Sequence, residues 1–292
     1  MLACVEPTAA AGIPQCMDRR IELNTGVTLS VEDAGRGPCL VFVHGLWMSG
    51  RFFAGQVERF AATNRVIVPD LRGHGASDKP LTGHTVPSYA RDLRALLAEL
   101  RASEPVLVGW SMGAMVVWEY LRTFGQDGVS GIVIVEQPPS DLAWPDYEFG
   151  AFSLAALRAM VEQVQDEQRT VAEDFVHAML HEPDDATVAW MVGEVLKVPP
   201  VVAAAILADE ALQDYREFLA EITLPTLVLF GEDDKLTDPR AGRYIADRLP
   251  GAELVTFARS SHCPFVEEPE LFDETVGLFA ARVQDGRRRA AS

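Results

Sequence analysis

Apolar residues recur along this chain in two alternating rhythms. Short continuous runs, PCLVFVHG (38–45), NRVIVPD (64–70), PVLVGW (105–110), GIVIVEQ (131–137), PTLVLFG (225–231) and AELVTFA (252–258), read as strands buried on both faces. RRIELN and VTLSVEDAG, split by Thr25-Gly26, read as an opening hairpin. Between the runs come helix-period patterns over Phe52–Ala61, Val86–Leu100, Met112–Phe124, Pro239–Leu249 and Pro264–Arg282. Strand and helix in alternation imply βαβ units, and so an α/β fold with a mostly parallel, eight-stranded sheet flanked by helices.

One interval breaks the rhythm. From Pro138 to Leu224 no convincing strand occurs, and helix-like stretches are punctuated by QPPSDLAWP, HEPDD and VPP. That length is too great for a loop. The division expected is a core of 1–137 and 225–292 with a helical insertion of 138–224 after the sixth strand, placed over the strand C-termini where open α/β sheets bind ligands. Residues 1–18 read as a loose leader and 285–292 as a loose tail.

Composition narrows the function. The net charge is −18, which opposes nucleic-acid binding because phosphates need a basic surface. Asp141–Ile222 holds 17 acidic and 4 basic residues, a solvated surface that would repel polyanionic substrates and acidic carrier proteins. The first residues lack the basic start and sustained apolar core of a signal peptide, and no apolar run is long enough for a membrane span. Cys4, Cys16, Cys39 and Cys263 show neither disulfide nor zinc spacing. The expectation is a cytoplasmic protein with no cofactor and no metal.

The chemistry concentrates at Gly109-Trp110-Ser111-Met112-Gly113, a G-x-S-x-G sequence between a strand pattern and a helix pattern. A serine on so tight a turn needs neighbours without bulk, and the helix start behind it presents free N–H groups to a developing oxyanion. Serine needs a base to become a useful nucleophile. Of six histidines, His262 in FARSSHCPFVEEPE follows the last strand on a small-residue loop and is the candidate. The imidazole in turn needs an acid. Asp234, in GEDDKLTDP at the end of a strand, is favoured; Glu136, at the end of GIVIVEQ, is the alternative, and Asp233 is a neighbour easily confused with Asp234. The second oxyanion donor, besides the Met112 N–H, is the Leu46 N–H after His44-Gly45. Asp70, Arg72 and His74 in PDLRGHGASDKP read as loop pins. The insertion supplies Trp144, Tyr147, Phe149, Phe152, Met160, Phe175, Met179, Trp190 and Met191 for its own core or a pocket. The pocket set expected is Trp47, Trp110, Trp144, Phe149, Trp190 and Cys263.

HGLW, DLRGHGASDKP, GWSMG, GEDDKLTDP and SHCPFVEEPE follow one another in the order serine, acid, histidine. From about Arg19 to Val283 the chain therefore resembles the α/β-hydrolase fold enzymes, in the branch of esterases, small lactonases and cofactor-free haloperoxidases (perhydrolases). The resemblance implies Ser111 as nucleophile, His262 as base, Asp234 as acid, Leu46 and Met112 as oxyanion donors, and the insertion as a cap. Certain lactonases carry their acid where Glu136 stands, which keeps that alternative open. The activity implied is hydrolysis of a small apolar carboxylic ester or lactone through an acyl-enzyme. C–C bond hydrolysis and perhydrolysis use the same groups, and a receptor-like member that binds without turnover is the remaining alternative. Oligomeric state is not readable.

Overall fold

The computed structural model describes residues 17–291, with side chains described for 19–287. The leader expected over 1–18 lies outside it except for its last two residues, as do Cys4 and Cys16. Those last two residues already belong to strand β1 (Met17–Glu22). The other strands are β2 (Thr28–Gly35), β3 (Cys39–Val43), β4 (Arg65–Pro69), β5 (Val106–Trp110), β6 (Gly131–Val135), β7 (Thr226–Gly231) and β8 (Glu253–Phe257). They form one sheet in the order β1-β2-β4-β3-β5-β6-β7-β8. β1 pairs with β2 and β2 with β4 antiparallel; every other pair is parallel.

The continuous apolar runs sit where the sheet is covered on both sides. All residues of β3, β5, β6 and β7 are buried. β2 alternates, with Leu29 and Val31 inward, as an outer antiparallel strand should. β8 departs from its expected burial: Phe257 is buried, while Glu253 and Thr256 are exposed and Leu254 and Val255 half-buried. It is an edge strand, paired in the sheet with β7 alone.

The helices of the core are α1 (Ala54–Phe60), entered through a 3-10 turn at Gly50–Phe53, α2 (Val86–Glu99) and α3 (Met112–Phe124). After β7 come α8 (Arg240–Ala246), α9 (Pro264–Glu267) and α10 (Pro269–Ala291). The final helix was expected as one run from Pro264. It breaks at Glu268, which takes φ −128° and ψ 56° because the next residue is Pro269. Beyond the break α10 continues to Ala291, so the expected loose tail is helical.

Between β6 and β7 lie four helices, α4 (Leu154–Asp166), α5 (Gln168–Met179), α6 (Asp185–Val195) and α7 (Pro200–Ala211). α4 packs on α7 and α5 on α6, burying Leu157, Val164, Val171, Val176, Met179 and Met191. Polar contacts fix this insertion to the core. Trp47 Nε1 donates to the Ala203 carbonyl at 3.0 Å and Ser49 Oγ to Glu194 at 2.9 Å, and the Val86 N–H donates to Asp209 at 2.7 Å. Among the described residues no single helix is long and apolar enough to cross a membrane.

Strand order reverses around β3, whose two neighbours, β4 and β5, follow it in the chain on opposite sides. Ligand crevices in such sheets open at the C-terminal ends of the strands beside this switch point. The loop after β4 braces that end. Arg72 donates to both oxygens of the fully buried Asp92 at 2.5 and 2.6 Å, and Asp92 also accepts from Thr25 Oγ1 at 2.6 Å. Removing one member of a buried ion pair strands the other charge, at a cost of about 3–5 kcal/mol. Asp92→Ala is therefore expected to lower the unfolding free energy by roughly 3 kcal/mol or more in urea titrations. A loss below about 1 kcal/mol would show that the pair does not brace the loop.

Candidate active site

Ser111 is the single residue between β5 and α3. Its backbone is strained, at φ 53° and ψ −132°, a region that non-glycine residues occupy only when their surroundings hold them there. The Ser111 N–H donates to the Val135 carbonyl at 2.8 Å, and its own carbonyl accepts the Ala114 N–H at 2.7 Å. The flanking glycines are required by close approach. A Cβ on Gly113 would lie 2.0 Å from the Val43 carbonyl oxygen, and one on Gly109 would lie 2.5 Å from Ala114 Cα. Met112 opens α3, so its N–H belongs to the first turn, which has no partner within the helix.

The second loop follows β3. Trp47 holds φ 62°; its N–H donates to His74 Nε2 at 3.2 Å, and the Met48 N–H donates to the Gly45 carbonyl at 3.2 Å. Neither N–H is free to meet an oxyanion, whereas Leu46 borders the cavity together with Ser111. His44 Nε2 accepts the Leu71 N–H at 2.9 Å, and Asp70 accepts the N–H groups of Gly50 and Ala76 at 2.7 Å each. His44, His74 and Asp70 thus hold backbone and Arg72 holds Asp92, in keeping with the expectation that Asp70, Arg72 and His74 pin loops.

His262 is clamped on all sides. Its N–H donates to the Met179 carbonyl at 3.0 Å, and its carbonyl accepts from Trp110 Nε1 at 2.8 Å. Next to it, Ser261 Oγ donates to the Ala178 carbonyl at 2.9 Å. The C-terminal carbonyls of α5, which no helix partner satisfies, therefore seat the histidine loop. Nδ1 of the ring lies 2.9 Å from Asp234 Oδ2. The ring and Ser111 border the same cavity.

The three acids weighed for contact with His262 separate clearly. Asp234 accepts the Leu236 and Thr237 N–H groups at 2.8 and 3.2 Å and the Thr237 hydroxyl at 2.6 Å, besides facing His262. Burial alone would raise its pKa, but the His262 charge and hydrogen bonds from His262 and Thr237 outweigh it, and the group is held at about 2. Asp233 turns outward to His181 Nδ1 at 2.8 Å. Glu136 is fully buried at φ 51° and accepts the Gly231 N–H, while its Oε2 has no donor. Burial, then the charge of Asp234, pushes its pKa far above the usual carboxylate range. That shift favours the protonated form of Glu136 beside the ionised Asp234. Glu136, Asp234 and His262 bring ligand-type atoms within 4.8 Å of one another, the spacing of a metal site. The imidazole is engaged by Asp234 at 2.9 Å, and a second carboxyl behind a histidine–carboxylate pair produces the same spacing.

The cavity above Ser111 encloses about 330 Å³, in the range of small-molecule sites. Leu46 and Trp47 form one wall, Phe152, Met160, Val171 and Phe175 of the insertion the roof, and Leu236 and Thr237 a further edge. Of the six expected pocket residues only Trp47 borders it. Trp110 lies beneath the floor, packed on Phe53, Phe265 and the His262 ring, and Cys263 is buried behind the histidine. Trp190 packs on Phe52 under Arg51. Phe149 stacks with Tyr147 and Tyr244, and Trp144 is 38% exposed beside Arg216. These five stabilise the core or the insertion's junctions. The polar lining of Gln137, Asp141 and Glu210 was not anticipated. Its one sequence signal is Glu210 three residues after Leu207, on the same face of a helix whose only other charged residue is Asp209.

Comparison with known proteins agrees with this architecture. The family model for the alpha/beta hydrolase fold matches residues 38–269. The chain is 28% identical over 270 residues to AB hydrolase superfamily protein YisY of Bacillus subtilis (strain 168), covering 90% of this chain and 99% of that one. It is 31% identical over 264 residues to the pimeloyl-[acyl-carrier protein] methyl ester esterase of Vibrio atlanticus (strain LGP32), covering 87% and 99%. Among solved structures, an esterase from Exiguobacterium antarcticum superposes with a TM-score of 0.87 at 25% identity, covering 91% of this chain and all of that one. The chain thus belongs to the alpha/beta hydrolase fold family, in the part of it that contains esterases.

Proposed function

We propose that this protein is a serine hydrolase that cleaves a carboxylic ester or lactone through an acyl-enzyme, with Ser111, His262 and Asp234 as its catalytic triad. The observation that carries the reading is the arrangement on the cavity floor: a strained serine at a helix start, and an imidazole whose far nitrogen is held by a buried carboxylate. Esterases among the relatives support ester hydrolysis in general.

In this reading His262 takes the Ser111 proton as Oγ attacks the substrate carbonyl. The N–H groups of Leu46 and Met112 receive the oxyanion, and each such donor is worth about 3 kcal/mol of barrier. The protonated imidazole, stabilised by Asp234, returns its proton to the departing alcohol. Water then attacks the acyl-enzyme with His262 as base again, and Ser111 is regenerated. For a lactone, the departing alcohol stays attached to the acyl product. The insertion 138–224 serves as a cap whose apolar roof excludes water and holds the acyl or alcohol part. Its acidic surface disfavours an acyl-carrier protein as substrate carrier, so a free small-molecule ester is the form we assign.

Ser111→Ala is expected to reduce hydrolysis of an aryl ester by about a million-fold with an unchanged circular-dichroism spectrum. Persistent turnover would remove the proposal. Asp234→Asn should lower kcat by about 10⁴ through loss of the correct tautomer. Glu136→Gln, which mimics the protonated acid, should cost much less; the reverse order in a parallel kinetic assay would transfer the acid's role to Glu136. Glu136 also shapes stability. Its proton is kept in the folded state and lost in the unfolded one above an ordinary glutamate pKa, so the wild type weakens as pH rises. The stability advantage of Glu136→Gln should therefore grow above about pH 4.5, by up to about 1.4 kcal/mol per pH unit, in denaturation curves across pH. A pH-independent difference would mean that Glu136 ionises in the fold.

A further inference from the structure

The cavity lining is mostly apolar, and two of its acidic residues, Asp141 and Glu210, interact with one another. Asp141 sits on the loop after β6 and Glu210 on α7, and both border the space above Ser111. The fold brings them together deliberately. The Tyr215 N–H donates to the Pro139 carbonyl at 2.8 Å, and Ser140 bridges to Asp214, tying the loop that carries Asp141 to the segment following α7.

Their hydrogen bonding is incomplete. Asp141 accepts from Gln137 Nε2 at 2.7 Å. Glu210 is 3% exposed, and its Oε2 has no partner at all. A structural carboxyl in an apolar wall would be given donors, because an orphaned acceptor is costly. The other charged groups around the pair are accounted for. His262 faces Asp141 from the floor, and Tyr147 lies near it on the loop side. Asp209, beside Glu210, is engaged by the Val86 N–H and Gln213. Lys235, the cation on the cavity's edge, gives its ammonium to the Leu180 and His181 carbonyls at 2.8 and 3.2 Å. Asp174, at another edge, adds negative charge.

We propose that the Asp141–Glu210 wall is a recognition site for a protonated amine on the substrate, so that the preferred substrates are small amino-substituted esters or lactones. This rests on the hydrolase reading above and narrows it. An ammonium group carries three N–H donors and a positive charge, which supplies what the wall lacks. It also relieves a costly arrangement: burial pushes Asp141 up to about 7 against the pull of Gln137 and His262, and burial with the charges of Asp141 and Asp209 pushes Glu210 far above its ordinary value. The apolar roof then takes the methylene chain between the amine and the reacting carbonyl. The acidic surface of the insertion favours approach of a cation.

The test uses two pairs of isosteres: methyl ω-aminohexanoate with methyl heptanoate, and ω-aminohexyl acetate with heptyl acetate. Binding is measured by calorimetry on Ser111→Ala and turnover on the wild type. The amine of at least one pair should bind, and be turned over in kcat/KM, roughly tenfold or more better than its neutral isostere, as expected of a charge-assisted hydrogen bond. In the double variant Asp141→Asn/Glu210→Gln, which replaces the acids with neutral groups of the same shape, the ratio should fall to about one. Equal or better binding of the neutral ester in both pairs, or a ratio unaffected by the double variant, overturns the inference even if esters are hydrolysed. An amine preference in binding with no wild-type turnover of either pair leaves this inference standing and counts instead against the hydrolase reading.

Discussion

The close approach of α3 to β3 is the constraint from which the site follows. Where α3 begins, the Gly113 position lies so near the Val43 carbonyl that no side chain fits. Only then can the chain turn from β5 into α3 within one residue and leave Ser111 in its unfavourable backbone state. Such strain costs on the order of 1–3 kcal/mol. The surroundings that impose it are three parallel strands, β3, β5 and β6, buried along their whole lengths. Two more non-glycine residues with positive φ, Trp47 in the loop after β3 and Glu136 directly after β6, lie on either side. Three strained residues thus lie at or just beyond the C-terminal ends of adjacent strands.

Around that turn, the arrangement of protons matters as much as the arrangement of atoms. Two carboxyls lie behind the imidazole in a space that favours neither charge. Asp234 has two N–H donors, a hydroxyl and the imidazole, which hold its pKa low; Glu136 has one N–H and a neighbouring negative charge, and burial and that charge push its pKa up. The two environments thus favour a negative charge on Asp234, where it faces His262, over one on Glu136. The insertion contributes to the same geometry. The end of α5 seats the His262 loop, and α7 receives the Trp47 indole from the β3 loop. Displacing the insertion would loosen both sides of the cavity floor.

Much of this was legible in the sequence because it depends on local rules. Fully buried parallel strands must be continuous apolar runs, and a nucleophile on a one-residue turn must stand between glycines. The interval 138–224 stood out because it has no such strand. Asp234 was separable from Glu136 only in space, since both end strands and only hydrogen-bond donors distinguish them. The pocket was poorly legible. An aromatic in an apolar pattern looks the same whether it lines a cavity, as Phe152 and Phe175 do, or seals a junction, as Trp144 and Trp190 do. The exposed face of β8 and the break at Pro269 were lost for related reasons. Edge position is a property of the whole sheet, and a proline at a helix start looks identical from the sequence whether or not another helix precedes it.

The central claim is that the hydroxyl of Ser111 is activated by the imidazole of His262. The most direct measurement is covalent trapping with a fluorophosphonate, read by intact-protein mass and peptide mapping. A single adduct on the peptide containing Ser111, absent when His262 is replaced by alanine in a protein that still folds, is the result this account predicts. An unmodified protein, an adduct on another residue, or labelling of Ser111 that is indifferent to His262 would contradict it.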